Sequence, residues 1–124
     1  MNYTIETKEN FDIISPTQSE FNSQMAEEIK GLVNNALAKK RSLIINLQEV
    51  ASATKDVCVL YQFHQNLYQE NLSFVLCHVA ANLKNELQKN ELVEELNITP
   101  KLIEAIDIVS MEGLERELMG DDLI

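Results

Sequence analysis

The chain has 124 residues, of which 45% are hydrophobic and 24% are charged, and it contains only three glycines and two prolines. This balance predicts one globular domain and excludes a disordered chain or two domains on a flexible linker. The formal net charge of −10 argues against nucleic acid as a partner, because binding to phosphates requires a basic surface. No stretch approaches the roughly 20 apolar residues of a membrane span.

The N-terminal part of the chain predicts two short strands, a helix and a buried strand. Tyr3–Thr7 alternates apolar and polar residues, and Phe11–Ser15 follows it across a turn, so both are expected as strands of a hairpin. Residues 17–23 are polar and predict a loop. A helix is expected from an N-cap at Asn22 or Ser23 to the cations at 39–41, with Glu27 and Glu28 in its first turn, where the helix dipole favours them. Leu43–Leu47 predicts a central strand.

The C-terminal part alternates helices and strands. Thr54–Tyr68 has apolar residues at helical spacing, Leu72–Val79 predicts a second buried strand, and Asn82–Leu96 predicts a third helix. An edge segment is expected to begin with Ile98-Thr99-Pro100 and to finish as a strand over Ile103–Val109. Met111–Met119 then predicts a closing helix.

The order β-β-α-β-α-β-α-β-α predicts an α/β fold with a mostly parallel sheet, an antiparallel N-terminal edge strand and about four helices. One domain is expected over residues 1–120. The last residues, 121–124, are expected to be a frayed tail.

Residues that could carry chemistry are few. The chain has no glycine-rich phosphate-binding motif, no GxSxG and no HExxH, and its acidic residues cluster on predicted helices. Cys58, Cys77 and His64 match no known metal-ligand spacing, although a site formed by them in three dimensions stays open. We therefore expect no catalytic residue, metal or cofactor, and not an enzyme. A polar start unlike a secretory signal favours reduced thiols in a cytoplasmic protein.

Two stretches and the order of elements resemble the STAS domain of bacterial anti-sigma-factor antagonists. Ser19-Glu20-Phe21-Asn22 stands where that family has a Gly-Glu-Leu-Asp-like loop before a helix, here AEEIKGLVNNAL. The sequence IINLQEV is similar to the family's central strand, which ends in Asp/Asn-Leu a few residues before a valine. The resemblance covers nearly the whole chain and implies a STAS fold and a non-catalytic role in binding proteins.

The resemblance also implies a position for a phosphorylation switch. The family's Asp-Ser-Ser/Thr-Gly motif opens the second helix, and counting from Asn46-Leu47 its positions match Thr54, Lys55, Asp56 and Val57 here. The phosphoacceptor position therefore falls on Lys55, which a Ser/Thr kinase cannot phosphorylate. Asp56 can imitate a constitutive negative charge that Lys55 partly cancels. Alternatively, Thr54 caps the helix and the next two residues are an exposed turn.

These inferences predict a partner-docking surface on two loops. Its residues are expected to be Ser19, Glu20, Phe21, Asn22, Ser52, Thr54, Lys55, Asp56 and Val57, continued by Cys58 and Leu60. The expected partner is a protein such as an anti-sigma factor with serine-kinase activity, bound without phosphorylation at the usual position. The alternative is a structural or accessory subunit of a transporter-associated or stressosome-like complex. A homodimer, a small enzyme or ligand-binding protein, and phosphorylation of Ser52 or Thr54 stay open.

Overall fold

The structure is a computed structural model that describes residues 2–54, 57–89 and 96–122, with side chains described as far as Leu118. The strands of this part of the chain are β1 (Tyr3–Thr7), β2 (Phe11–Pro16), β3 (Glu20–Phe21), β4 (Ser42–Asn46), β5 (Ser52–Ala53), β6 (Phe74–Cys77) and β7 (Asn97–Thr99). Its helices are α1 (Ser23–Lys39), α2 (Val59–Tyr68), α3 (Ala81–Lys89) and α4 (Leu102–Asp122).

Five of the strands form one sheet in the order β1-β2-β4-β6-β7. β1 pairs with β2 antiparallel, and every other neighbour in this sheet is parallel. The hairpin is closed by a bond from the Lys8 N–H to the Phe11 carbonyl, at 2.8 Å. The prediction of an α/β fold with a mostly parallel sheet, an antiparallel N-terminal edge strand and four helices is confirmed.

The sheet separates two apolar layers. Along β4, Ile45 packs in the layer that α1, α2 and α3 form, whereas Ile44 packs in the layer that α4 forms with Ala105 and Val109. Successive side chains of a strand point to opposite faces, so a run such as Leu43–Ile45 can fill both layers. This arrangement places three helices on one face of the sheet and α4 on the other.

Helix α1 begins as the sequence predicts, because Asn22 Oδ1 accepts a hydrogen bond from the Met25 N–H at 2.9 Å. It ends at Lys40, which adopts the left-handed conformation at φ 57°. The acidic pair Glu27-Glu28 lies beyond the first turn, so the expected interaction of these residues with the helix N-terminus is not realised there.

The prediction of a strand over Ile103–Val109 is wrong, because these residues belong to α4. Ala105 and Val109, four residues apart, are both buried against the sheet, and this is the spacing of a helix face. Strand β7 already ends at Thr99, whose Oγ1 donates to the Lys101 carbonyl at 2.9 Å. The predicted closing helix at Met111–Met119 is therefore the second half of one longer helix.

Other predicted boundaries differ from the structure. Residues 17–23 are not only a loop, since they contain β3. Helix α2 begins at Val59 rather than Thr54, and α3 ends at Lys89, with the predicted continuation at 90–95 outside the described residues. The backbone at 121–122 continues α4, while 123–124 lie outside the described part, so the division at residue 120 stays a prediction.

Candidate docking site

A second, two-stranded sheet joins the two loops that are predicted to form a docking surface. β3 and β5 pair in parallel, with Glu20 opposite Ser52 and Phe21 opposite Ala53. The first loop leads into α1, and the second follows the central strand β4. The short ladder thus joins the two segments into one surface, which we call the β3–β5 platform (residues 19–22 and 51–54).

Hydrogen bonds hold both ends of the β3–β5 platform. At one end the Ala51 N–H donates to the Ser19 carbonyl at 2.8 Å, and at the other the Thr54 N–H donates to the Phe21 carbonyl at 2.9 Å. Thr54 Oγ1 also donates to Glu20 Oε1 at 3.2 Å. The position of each loop is therefore fixed by the other, and not by its own turn alone.

The platform rests on the core below it and on α3 beside it. Phe21 is only 1% exposed and packs in the apolar layer of α1, α2 and α3, together with Val50. Asn82 Nδ2, near the start of α3, donates to the Ala51 carbonyl at 2.9 Å. These contacts give a short and otherwise marginal pair of strands a rigid base.

The outward side of the platform is polar. Ser19, Ser52 and Thr54 are exposed, whereas Glu20 and Asn22 are half-buried. The Asn22 side chain caps α1, and the Glu20 carboxylate accepts the bond from Thr54. The polar groups that a partner can reach are therefore the hydroxyls of Ser19 and Ser52 and the hydrogen-bonded pair of Thr54 and Glu20.

Three of the residues assigned to the docking surface point inward. The side chains of Phe21, Val57 and Leu60 are 1%, 3% and 1% exposed, and all three belong to the core. They support the platform from below, so a partner cannot contact their side chains while the core stays intact. The sequence does not distinguish a buried anchor from a residue that contacts a partner, because in both cases an apolar residue lies between polar ones.

Two residues of the switch position, Lys55 and Asp56, lie outside the described residues. Their neighbour Thr54 does not cap α2, because its hydroxyl bonds Glu20 and the helix begins five residues later, at Val59. The interpretation of Thr54 as the cap of α2 is therefore wrong. Whether the nine residues bind a partner stays a prediction.

The residues considered for metal or redox chemistry lie apart. Cys77 packs in the layer of α4, on the opposite face of the sheet from α2, which contains His64 and directly follows Cys58. Burial raises the pKa of Cys77 to about 11, so its thiol is a poor nucleophile at neutral pH. His64 is buried between the rings of Tyr61 and Tyr68, at centroid distances of 6.4 and 5.7 Å. Within the described ranges, no group of three His, Cys, Asp or Glu residues could hold a metal ion.

The architecture defines an α/β domain whose mixed sheet has a hairpin at one edge, and solved structures share it. An anti-sigma-factor antagonist (STAS) domain protein from Planctomyces limnophilus has a TM-score of 0.72 at 18% identity, over 87% of this chain and 97% of that chain. The anti-sigma-factor antagonist SpoIIAA in its unphosphorylated form has a TM-score of 0.68 at 15% identity, over 88% of this chain and 98% of that chain. The expected STAS fold is therefore confirmed: the chain has the fold of a STAS domain.

Two further comparisons add to this. SpoIIAA from Bacillus in its phosphorylated form has a TM-score of 0.66 at 16% identity, over 87% of this chain and 99% of that chain. The murine anion transporter Slc26a9 has a TM-score of 0.62 at 12% identity, over 86% of this chain but only 18% of that chain. No protein-family model and no curated protein matches the chain. In the described part of the chain, no helix combines the length and apolar character that crossing a membrane requires.

Proposed function

We propose that the chain is a non-catalytic protein-interaction module that binds a regulatory protein through the β3–β5 platform, without phosphorylation at the switch position. The observation that carries this proposal is the pairing of β3 with β5, which makes one surface of two distant segments. The module acts in the cytoplasm, and its partner is an anti-sigma factor with serine-kinase activity or a regulator of similar shape.

The geometry of the platform supports binding rather than catalysis. Its exposed groups are the hydroxyls of Ser19, Ser52 and Thr54, and none of them has a histidine or a second carboxylate within the platform to activate it. A pre-ordered surface loses little conformational entropy when a partner binds, which favours a docking role. The likeness to SpoIIAA, an anti-sigma-factor antagonist, supports the same class of function.

The absence of a hydroxyl at position 55 supports constitutive binding. A phosphate at this position adds about two negative charges to a docking surface, and the switch of the family depends on that change. Lys55 carries the opposite charge and accepts no phosphate from a Ser/Thr kinase. The partner therefore meets the same surface at all times, and regulation must come from the partner or from its concentration.

A charge reversal at position 55 tests this proposal. We expect Lys55→Glu to weaken binding of the purified partner by roughly tenfold or more, equivalent to about 1.4 kcal/mol. The matched control is Lys30→Glu, which makes the same charge change on an exposed part of α1 away from the platform. Equal affinity of wild type and Lys55→Glu, with the fold intact by circular dichroism, contradicts the proposal.

Phosphorylation at a neighbouring hydroxyl is tested separately. Ser52 and Thr54 are exposed, so a kinase could reach either side chain. We expect the intact mass of the protein purified from its native cell to show no phosphate, also after incubation with the partner and ATP. If fragmentation locates a phosphate on Ser52 or Thr54, constitutive binding is contradicted, and the phosphorylation switch lies at that residue instead of position 55.

A second candidate is a structural or accessory subunit of a larger complex. The observation in its favour is the likeness to a segment of the murine anion transporter, where a domain of this fold is part of a much longer chain. Crosslinking and size-exclusion chromatography of the native complex distinguish the two. A partner that exchanges on dilution supports the regulatory module, whereas a stoichiometric assembly that survives dilution supports the subunit.

A further inference from the structure

Helix α4 carries an apolar face that points away from the sheet. The exposed fractions of Ile103, Met111, Leu114 and Leu118 are 65%, 62%, 57% and 57%. At about 100° per residue, these four positions fall within an arc of roughly 80°. Ala105 and Val109, which pack on the sheet, lie on the opposite side of the helix. We call the four exposed residues the α4 outer face.

An apolar outer face is unusual for a helix at the surface of a domain. Surface helices normally carry polar residues opposite their core side, and a helix that is apolar on both sides is usually covered on both. The single large apolar residues that most proteins expose need no explanation, but a row at helical spacing does. The α4 outer face therefore has the pattern of a contact surface.

The charges around the α4 outer face have one sign. Residues 102–122 contain seven acidic residues and a single basic one, Arg116. Arg116 lies 3.9 Å from Glu112 and donates to Ser73 Oγ at 3.1 Å, on the side of the helix that faces the sheet. At about 100° per residue, the exposed carboxylates of Glu104 and Glu115 border the apolar row on one side and that of Glu117 borders it on the other. The exposed carboxylate of Asp107 lies within the arc, between Ile103 and Met111 along the helix.

A groove extends the α4 outer face toward the hairpin. It has a volume of about 450 Å³ and lies between α4 and the turn that joins β1 to β2. Phe11 and Leu114 contribute apolar surface, while Glu9 and Glu117 contribute charge. The space beside Gly113 is open, since a Cβ atom at that position would meet nothing within 4 Å. The groove can accept a side chain from a segment that lies along the helix.

We propose that the α4 outer face binds an amphipathic helix of a second protein, whose apolar side is flanked by lysine or arginine. Apolar residues at i, i+3 and i+7 on α4 match the spacing of such a helix. A basic border on the partner pairs with Glu104, Glu115 and Glu117. This surface lies on the opposite face of the sheet from α1, so it is distinct from the β3–β5 platform and does not depend on it.

Charge argues against two other occupants. A second copy of this chain would bring the same row of carboxylates, and like charges across an interface disfavour the pairing. An anionic membrane surface would repel them for the same reason. A homodimer through another surface is not affected by this argument. The acidic border therefore selects a basic partner.

The proposal can be tested on the full chain with a probe peptide. The probe is an amphipathic helix of about 18 residues, or five turns, with leucines on one side and lysines on both flanks. A scrambled peptide of the same composition and a peptide with glutamates in place of the lysines are the controls. We expect only the first to bind, as measured by fluorescence anisotropy, with an affinity that falls as salt is added.

Variants locate the binding surface. We expect Leu114→Ser combined with Leu118→Ser to weaken binding by at least about tenfold. Tyr68→Ser, which removes an equally exposed apolar side chain from α2, should change nothing. We also expect the triple variant Glu104→Gln, Glu115→Gln and Glu117→Gln to bind more weakly and with less dependence on salt. The control Glu27→Gln, Glu49→Gln and Glu70→Gln makes the same change in charge elsewhere.

Several results would overturn the proposal. These are no binding of the lysine-flanked peptide to the wild type, equal binding of the glutamate-flanked peptide, and equal affinity of the wild type and the leucine double variant. Sedimentation that shows a dimer lost in the leucine double variant would assign the α4 outer face to a second copy. Binding to phosphatidylserine vesicles that is lost in the same variant would assign it to a membrane.

Discussion

At the scale of single residues, the buried side chain of Phe21 anchors the β3–β5 platform to the core. Its side chain is almost fully buried, although it lies between polar residues in a segment whose sequence predicts a loop. The neighbouring Glu20 and Asn22 make their bonds at the edge of the core, to Thr54 and to the start of α1. Phe21 therefore acts as the anchor of the β3–β5 platform and not as a contact for a partner.

The first prediction concerns this anchor. We expect Phe21→Ala to lower the free energy of unfolding by about 3 to 5 kcal/mol, because it removes a large buried side chain and leaves a cavity. Tyr68→Ala, at an exposed aromatic residue, should lower it far less. Urea denaturation followed by circular dichroism measures both. A loss below about 1 kcal/mol for Phe21→Ala would show that the core does not hold this side chain.

The second prediction concerns Cys77, whose pKa burial raises to about 11. In the unfolded chain the thiol loses its proton at lower pH, so the unfolded state binds fewer protons between about pH 9 and 11. The contribution of this thiol to stability is present below that window and is lost as pH rises through it. We expect the wild type to lose more stability than Cys77→Ala between about pH 9 and 11. Parallel stability curves for the two proteins would contradict this.

At the scale of elements, the N-terminal hairpin is held by one arginine. Arg41 follows α1, and its Nη2 donates to Asp12 Oδ1 and to the Phe11 carbonyl, both at 3.0 Å. Its Nη1 donates to the Glu9 carbonyl at 3.2 Å. The planar guanidinium fork can make these bonds together, which a lysine ammonium cannot. In the sequence, Arg41 is recognisable only as a cation at the helix C-terminus, because partners 29 and more residues away leave no local pattern.

The third prediction tests this element. We expect Arg41→Lys to lower the free energy of unfolding by about 1 to 2 kcal/mol, since several hydrogen bonds to partly buried groups are lost while the charge is kept. Lys30→Arg on the exposed side of α1 is the control and should change stability by less than about 0.5 kcal/mol. Hydrogen exchange in β1 should also become faster in Arg41→Lys. Unchanged exchange and stability would mean that backbone pairing alone holds the hairpin.

Elements with a clear period could be predicted, and those formed by distant pairing could not. The run of apolar residues in β4 and the helical spacing in α1 determine both elements locally, and the N-cap of α1, Asn22, is one of the two residues that the sequence predicts for it. β3 and β5 have two residues each and exist because each supplies the other's hydrogen-bond partners. The segment from Ile103 to Val109 resembles a strand in sequence because it is apolar on both sides. In the structure, Ala105 and Val109 form the side of α4 that packs on the sheet, and Ile103 belongs to the α4 outer face.

At the scale of the whole molecule, the sheet separates two surfaces of different character. The β3–β5 platform is polar, lies next to the start of α1 and is fixed by hydrogen bonds to α3. The α4 outer face is apolar with an acidic border, and it lies beyond the other side of the sheet. The net charge of −10 suits a basic partner at the α4 outer face. If both proposals hold, the molecule connects two proteins, one at each surface.

Hydrogen–deuterium exchange of the full chain, with and without the regulatory partner, tests whether the β3–β5 platform binds that partner. We expect exchange to slow at residues 19–22 and 51–58 in the complex of unphosphorylated protein, and we expect Lys55→Glu to remove this protection while Lys30→Glu keeps it. Protection confined to other segments, with residues 19–22 and 51–58 exchanging as in the free protein, would contradict it.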